Sequence, residues 1–282
     1  MIMSMVYDKI RWEEKSILKA AQDKGIEMNM INVNEMDMDF EKPVSESYGK
    51  ITLQRCISYY KGMHSTAFLE KKRQKVVNSL QTTITAGNKM LTSLALISGG
   101  VPTPYTSVAT SYEMAMKQFT EKFHKRAVIK PVTGSWGRMI ALMNDKEAAM
   151  AVLEDREYMY PLYSIFYLQE YVKRPPRDIR VFTVGDRVIG GIYRYQTDKD
   201  WRTNSAIGGK AEKCEINSEI EKLSISAAKI IGKGIYGVDI MESERGYLVH
   251  EVNSTTEFKT TSQTAQLDVP GEIIDYLVDE AS

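Results

Sequence analysis

Two carboxylates and one amide stand at the ends of two neighbouring apolar segments near the end of the sequence. Asp239 lies in segment 237–240, and Glu251 and Asn253 end the segment that follows. Residues i and i+2 of a strand point to the same face, so Glu251 and Asn253 can converge, and Asp239 can join them from a paired strand. Such oxygen ligands suit Mg²⁺, which completes its shell with water and phosphate. A hairpin with polar ends is the competing interpretation, and these residues alone do not decide between the two.

A lysine precedes a glycine loop in the middle of the chain. Lys130 ends the apolar segment 127–130, and the loop 133–138 contains Gly134 and Gly137. Glycines let several backbone N–H groups face one anion, and a nearby lysine adds a point charge. The loop matches neither the Walker A pattern nor GxGxxG, so by itself it also fits an ordinary turn.

Other polar residues lie on segments with a strand pattern. Segment 168–172 alternates polar and apolar residues, which suits either an edge strand or contacts to an adenine and a ribose. Arg180 and Arg194 lie in segments that otherwise have a buried pattern. A buried arginine needs an anionic partner, which is either a structural carboxylate or a phosphate or carboxylate of a substrate. Asn204, in a long loop, is either a polar ligand or a turn residue.

The composition excludes several classes of function. The chain has 282 residues, and its 37 basic and 37 acidic side chains cancel, whereas a general nucleic-acid binder carries a basic excess. No apolar run has the length of a membrane span, and the N-terminal segment resembles a buried strand more than a signal peptide. We therefore expect a cytoplasmic protein without a nucleic-acid or membrane partner. The three histidines do not cluster along the sequence, which argues against a zinc site or a histidine-based triad.

Hydrophobic periodicity predicts the elements that hold these residues. In the first third, the predicted strands are 1–7, 28–33, 51–56 and 76–77, and the predicted helices are 13–24 and 62–72. This alternation predicts a small, mostly parallel sheet covered by helices. Further along, the predicted helices are 85–99, 111–123, 146–157 and 269–278, and the predicted strands include 127–130, 165–172, 179–184 and 187–195. The fold class is thus α/β with α+β lobes, divided into 1–84, 85–165 and 166–282.

The order and spacing of the polar motifs resemble the ATP-grasp carboxylate–amine ligases. Within that superfamily the chain resembles the RimK-related branch, and most of all the LysX-type ligases. The resemblance is carried by GSWGR at 134–138, DIRVF at 178–182, AEKC at 211–214, ESERG at 242–246, EVN at 251–253 and EFK at 257–259. It implies an ATP-grasp fold preceded by a βαβ pre-grasp domain over residues 1–84.

The resemblance also implies roles for individual residues. ATP would contact Lys89, Lys130, Thr133, Gly134, Ser135, Trp136, Gly137, Arg138, Gln169, Glu170, Tyr171, Val172, Asp178, Arg180 and Asn204. Mg²⁺ would be held by Asp239, Glu251 and Asn253. Arg194 and Lys130 would be the catalytic residues. The amino-acid substrate would contact Arg194, Ser205, Ala206, Glu257, Phe258, Lys259, Thr260 and Thr261.

LysX-type ligases act in lysine biosynthesis by the aminoadipate route. The resemblance therefore implies an ATP-dependent ligase that joins L-2-aminoadipate, through an acyl phosphate, to the C-terminal glutamate of a small acidic carrier protein of the LysW type. This branch often forms homotetramers. Asn followed by Ser or Thr is typical after the EFK motif of these ligases, and Gly-Phe is typical of the glutamate-using ArgX type. Thr260 and Thr261 match neither signature.

Several alternatives stay open. L-glutamate is a second acceptor candidate, used alone by an ArgX-type ligase or together with aminoadipate. A RimK-type ligase would add glutamate to a different protein tail. A non-catalytic ATP-sensing module is the distant alternative, and the presence of Asp239, Glu251, Asn253, Lys130 and Arg194 argues against it.

Overall fold

A computed structural model of the chain describes residues 1–134, 137–159, 161–198, 200–203 and 209–282. Within these ranges the helices and strands form an N-terminal, a central and a C-terminal lobe around a shared cavity. The mixed α/β class predicted from the sequence is confirmed. No helix in the described ranges is both long and apolar enough to cross a membrane.

The N-terminal lobe is built on a parallel sheet in the order β2-β1-β3-β4. Its elements are β1 (Ile2–Tyr7), α1 (Trp12–Asp23), β2 (Glu27–Asn32), β3 (Thr52–Gln54), α2 (Tyr59–Lys71), β4 (Val76–Val77) and α3 (Leu80–Ala86). Short 3-10 turns lie at Val33–Glu35 and Glu46–Tyr48. The predicted parallel sheet is therefore confirmed. Gln54, at the C-terminal end of β3, lines the cavity, and Asp8, just after β1, accepts hydrogen bonds from the backbone of Ile57 and Ser58.

The central lobe contains an antiparallel sheet in the order β5-β8-β6-β7. The chain reaches this lobe through α4 (Lys89–Ser98), whose Leu96 packs in the core of the C-terminal lobe. The elements of the central lobe are β5 (Thr106–Ala109), α5 (Tyr112–Glu121), β6 (Ala127–Lys130), β7 (Ala141–Met143), α6 (Lys146–Tyr158), a 3-10 turn at Pro161–Ser164 and β8 (Phe166–Glu170). Because β8 pairs with β5 and β6, the central sheet extends past the lobe boundary predicted at residue 165.

The helix predicted over 85–99 is confirmed for residues 89–98, which form α4, but its first two residues belong to α3, a separate helix that begins at Leu80. The helices are separated by Gly87 and Asn88, and the Asn88 side chain accepts hydrogen bonds from the backbone of Met90 and Leu91. Asparagine is a favoured N-cap because its side chain satisfies N–H groups that the first turn leaves unpaired. The apolar period continues across the break, which is why periodicity alone predicted one helix. The break places Lys89 at the start of α4.

The C-terminal lobe has an antiparallel sheet in the order β11-β10-β9-β12-β13. Its elements are β9 (Arg177–Val184), β10 (Arg187–Tyr195), β11 (Ala211–Cys214), α7 (Ser218–Ile231), β12 (Ile235–Ser243), β13 (Gly246–Asn253), α8 (Lys259–Ala265) and α9 (Val269–Ala281). Of these, β11, α7 and α8 were not predicted from the sequence. Helix α9 returns to the N-terminal lobe, where Ile274 and Leu277 share a core with Met3 and Ile17.

Candidate active site

The candidate metal ligands lie on two adjacent strands of the C-terminal sheet. In the register of β12 and β13, Asp239 stands opposite Glu251, and Gly237 stands opposite Asn253. The Asn253 amide nitrogen lies 3.5 Å from an Asp239 carboxylate oxygen. A methyl group at Gly237 would meet the Thr256 side chain at 2.6 Å, so glycine lets the chain after Asn253 pack over β12. The hairpin thus brings the three side chains together.

Cations neutralise both carboxylates of this group. Arg180, on β9 directly opposite Asp239, donates two hydrogen bonds of 2.7 Å to it. Lys89 donates to Glu251 at 2.9 Å. Burial alone would raise the pKa of Glu251, but the positive charges around it, that of Lys89 first, hold the pKa low at about 2. Glu251 is therefore charged at neutral pH, and both carboxylates face cations that a bound metal ion could replace.

These three residues fit a hard divalent cation. Two carboxylates and an amide oxygen form the type of donor set that Mg²⁺ takes from proteins. In the described ranges no cluster of three or more His, Cys, Asp or Glu side chains suits a metal, as expected where the third donor is an amide. The site therefore suits Mg²⁺ and has neither the histidine nor the thiolate ligands that zinc favours.

Lys130 is buried at the end of β6, where its ammonium group donates to the Gln169 side chain at 2.7 Å. Burial lowers its pKa to about 8, and the nearby charge of Lys89 acts in the same direction, while that of Glu251 opposes it. A buried ammonium whose partner is a neutral amide favours the approach of an anion. Lys130 can therefore bind a phosphate without first giving up a carboxylate partner.

Arg194 forms a second, deeper ion-pair network. Its guanidinium donates two hydrogen bonds of 2.8 Å to Asp178, its cross-strand partner on β9, and lies 3.1 Å from Asp239. The Thr203 hydroxyl also donates to Asp178. Burial would raise the pKa of Asp178, but Arg194 outweighs it and the net pKa is lowered. Arg194 lines the cavity with its fork already occupied, so the network fixes the position of Asp239.

The described part of the glycine loop lies over the same end of the cavity. Gly134, Gly137 and Arg138 line it, while Thr133 does not. The Gly134 carbonyl accepts a hydrogen bond from Lys89 at 2.9 Å, and the Gly137 carbonyl accepts one from Arg202 at 2.6 Å. The loop is therefore connected both to the start of α4 and to the segment after β10. The predicted site residues Ser135, Trp136, Asn204, Ser205 and Ala206 lie outside the described residues.

The segment predicted to hold adenine and ribose stands beside the cavity. Gln169, Glu170, Tyr171 and Val172 do not line it. Gln169 instead orients Lys130, and Glu170 accepts a hydrogen bond from the Tyr105 backbone at 2.7 Å and pairs with Arg245. The Arg126 guanidinium lies 4.1 Å from the centre of the Tyr171 ring. These contacts are structural, and a nucleotide role for this segment stays a prediction.

The residues predicted to face the amino-acid substrate divide into two groups. Glu257, Thr260 and Thr261 line the cavity, whereas Phe258 and Lys259 do not. Phe258 is fully buried and packs edge-on against other aromatic rings in the core, so its side chain supports the segment from behind. Lys259 is exposed. The substrate contact predicted for the Phe258 side chain is therefore corrected to a core role.

The cavity has a volume of about 320 Å³ and more positive than negative walls. Its cations are Arg11, Lys89, Lys130, Arg138, Arg174, Arg180, Arg194 and Arg202, and its carboxylates are Asp178, Asp239, Glu251 and Glu257. A polyanion such as a nucleoside triphosphate suits this balance.

Several cavity residues were missed in the sequence analysis. Arg11, Gln54 and Tyr59 come from the N-terminal lobe. Their position in the predicted sheet could have identified them, because ligands bind beyond the carboxyl ends of parallel strands, and these residues follow or end β1 and β3. His250 comes from β13, where a register shift after Asp239 sets His250 beside Glu251, with its ring 3.8 Å from Asp178. Burial lowers the pKa of His250.

Comparison with known proteins places this geometry in context. Family models match residues 3–85 as a LysX preATP-grasp domain and residues 86–277 as a RimK-like ATP-grasp domain. The chain is 36% identical to the alpha-aminoadipate–LysW ligase LysX of Sulfurisphaera tokodaii, over 97% of each chain. It is 30% identical to the glutamate–LysW ligase ArgX of Sulfolobus acidocaldarius, over 98% of each chain. A RimK domain ATP-grasp protein of Sphaerobacter thermophilus shares the fold with a TM-score of 0.81 and 21% identity, covering 98% of this chain and 99% of that one.

Proposed function

The chain belongs to the RimK-like ATP-grasp ligases, and we propose that within this family it joins the amino group of L-2-aminoadipate to the C-terminal glutamate of a LysW-type carrier protein. The bond formed would be an amide to the side-chain carboxylate of that glutamate. The observation that carries the proposal is the cavity itself. It combines paired carboxylates with an excess of cations at one end, in a chain that is similar to an aminoadipate–LysW ligase over nearly its whole length.

The nucleotide end of the cavity supports ATP as the energy source. Asp239, Glu251 and Asn253 would hold Mg²⁺, which when bound would neutralise part of the phosphate charge. Lys89 and Arg180, which now pair with Glu251 and Asp239, would exchange those partners for phosphate oxygens. Positive charge fixed before the reaction stabilises the negative charge that moves during phosphoryl transfer.

The reaction class explains why no nucleophilic side chain is needed. A carboxylate is a poor acyl donor, so it must first be phosphorylated with ATP to an acyl phosphate, which the amine of the second substrate then attacks. Lys130 would hold a transferred or leaving phosphate, and Arg194 would keep Asp239 in place at the reacting end. The loop 133–138 would cover the phosphates and exclude water, which would otherwise hydrolyse the acyl phosphate.

Phosphate release tests this proposal. Purified protein with ATP and Mg²⁺ should release phosphate only when both the carrier and aminoadipate are present. A carrier that lacks its terminal glutamate is the matched control and should give background release. Equal release with and without the carrier would overturn the proposal.

Glutamate is a second candidate for the acceptor. It is favoured by the similarity to a glutamate–LysW ligase and by the position of Thr260 and Thr261, which line the cavity but match neither family signature. Aminoadipate is one methylene longer than glutamate, and one methylene separates substrates by only about 10- to 200-fold. We therefore expect aminoadipate to be preferred and glutamate to be used measurably.

A further inference from the structure

Arg11, from the N-terminal lobe, places a guanidinium group in the wall of the cavity, next to Glu257. It lies between β1 and α1 and lines the cavity together with Glu257 and Thr260. Its side chain is 17% exposed. Arg11 is also the N-cap residue of α1, and its backbone N–H donates to Glu14.

One edge of the Arg11 guanidinium is fixed by a buried carboxylate. Its Nε and Nη2 atoms donate to Glu14 at 3.1 and 2.7 Å. Glu14 is fully buried and also accepts a hydrogen bond from the buried Arg55 at 3.1 Å. Because Glu14 is held from two sides, the plane and direction of the Arg11 fork are set in advance.

The other edge of the guanidinium faces a weak contact. Nη1 lies 3.5 Å from a carboxylate oxygen of Glu257, at the outer limit of a hydrogen bond. The Glu257 side chain is 45% exposed, so this ion pair is solvated. An arginine whose Nε edge is held by one carboxylate still presents its Nη1–Nη2 edge, which matches a second carboxylate with two parallel hydrogen bonds.

Other arginines of the cavity have different surroundings. Arg180 is held through the same Nε and Nη2 atoms, but its partner is the candidate metal ligand Asp239, and Arg194 contacts both Asp178 and Asp239. Arg174 donates to backbone carbonyls. Arg202 is bound to Asp200 and to the Gly137 carbonyl. Lys259, which the resemblance implied would contact the amino-acid substrate, does not line the cavity.

Residues 257–261, which the resemblance implied would face the amino-acid substrate and which we call the acceptor segment, are attached to the same helix that Arg11 caps. Glu13, next to Glu14 on α1, accepts hydrogen bonds from the backbone N–H groups of Phe258 and Lys259 at 3.1 and 3.0 Å. This fixes Arg11 relative to Thr260 and Thr261. We propose that Arg11 binds the side-chain carboxylate of the amino-acid substrate and thereby selects acidic amino acids, an inference that rests on the proposed function.

A comparison of two substrates separates binding from a structural role. The assay measures kcat/KM for aminoadipate and for its uncharged side-chain amide, with the same carrier, in wild type and Arg11→Gln. Loss of a charged, bidentate contact should lower kcat/KM for aminoadipate about 10- to 100-fold and reduce the preference over the amide by a similar factor. A structural role would lower both values equally and leave the ratio unchanged, which would overturn the proposal.

Two further variants complete the design. Lys15→Gln removes an exposed positive charge from the same helix and should leave the ratio unchanged. If it lowers the ratio as much as Arg11→Gln does, the effect is general electrostatics and the proposal is overturned. If Arg11→Gln does not fold, Arg11→Lys decides, because it keeps the charge and loses the fork. The ratio should then fall several-fold, and an unchanged ratio would contradict the assignment.

Failure of the proposed function gives a different result. Wild type that ligates neither aminoadipate nor glutamate would overturn both the function and the role of Arg11. Active wild type with an unchanged ratio in the Arg11 variants would overturn the role of Arg11 alone.

Discussion

The two ends of the cavity position their polar groups in different ways. At the nucleotide end, Asp239, Arg180 and Glu251 stand directly opposite one another on adjacent strands, so the strand register fixes them. At the acceptor end, the segment after β13 is held by side chains from distant parts of the chain. The Glu13 contact to the Phe258 backbone spans 245 positions, and the Arg55 contact to the Thr256 carbonyl spans 201.

This difference has a physical consequence for specificity. A sheet register places side chains on one face with a fixed spacing, which suits a phosphate and metal site. A segment held by individual hydrogen bonds can be moved by changing one buried partner, without disturbing the sheet. We therefore expect substitutions at the nucleotide end to remove chemistry, and substitutions at the acceptor end to change substrate preference.

Replacing a metal ligand should give the largest effect. Glu251→Gln keeps the size of the side chain but removes its charge, so kcat should fall at least about 100-fold. Glu244→Gln, at the exposed turn of the same hairpin, is the matched control and should retain activity. Turnover of Glu251→Gln within a few-fold of wild type at saturating Mg²⁺ would contradict the role of Glu251 as a metal ligand.

The pH dependence of ATP binding should give a smaller effect. Burial holds the pKa of Lys130 at about 8, so Lys130 is charged below this pH and loses its proton above it. The dissociation constant for ATP, measured by titration calorimetry, should therefore rise between pH 7 and 9, by up to about tenfold. Lys130→Arg keeps its charge throughout this range and should abolish the rise. If the dissociation constant for ATP rises equally in wild type and Lys130→Arg, the titrating group is not Lys130.

The lowered pKa of Lys130 also affects stability, and its sign is the reverse of the usual lysine case. Between pH 8 and the ordinary lysine pKa of about 10.4, the unfolded chain binds more protons than the folded one. The free energy of unfolding should therefore gain a positive contribution as the pH rises through this window. Urea unfolding of wild type and Lys130→Met should show this gain in wild type alone.

Loosening the acceptor segment should give the smallest effect on chemistry. Glu13→Ala leaves two backbone N–H groups of the segment without their carboxylate, and should lower the free energy of unfolding by about 1–3 kcal/mol. KM for the amino acid should rise while the dissociation constant for ATP stays unchanged. Asp23→Ala removes an exposed pair with Lys19 on the same helix and should cost only about 0.3–0.5 kcal/mol. If Glu13→Ala raises both KM for the amino acid and the dissociation constant for ATP, the nucleotide and acceptor ends of the cavity are not independent.

The same contrast explains what could be predicted from the sequence. The parallel N-terminal sheet and the strand ends that carry Asp239 and Glu251 follow from local periodicity, because alternation and turn residues are read over a few positions. The break at Gly87 and Asn88 was missed because apolar residues continue on both sides of it. The homotetramer suggested by the resemblance stays a prediction.

The acceptor end could not be derived in this way. Phe258 is the middle residue of the EFK motif and was expected at the substrate, yet it fills the core between Trp12 and Phe182. Arg11 carries no motif, and its place in the cavity depends on the contacts of α1 with a segment more than 200 positions away. Contacts between residues so far apart in sequence arise from tertiary packing, which a pattern over a few neighbouring residues cannot predict.

The central claim is that this ligase attaches aminoadipate to the terminal glutamate of a carrier protein. Mass spectrometry of the intact carrier, after incubation with enzyme, ATP, Mg²⁺ and an equal mixture of aminoadipate and glutamate, tests it most directly. We predict that most of the modified carrier gains one aminoadipate residue, that a minor fraction gains glutamate, and that fragmentation places the addition on the terminal glutamate. A carrier modified mainly with glutamate would reverse the acceptor assignment, and an unmodified carrier would contradict the account.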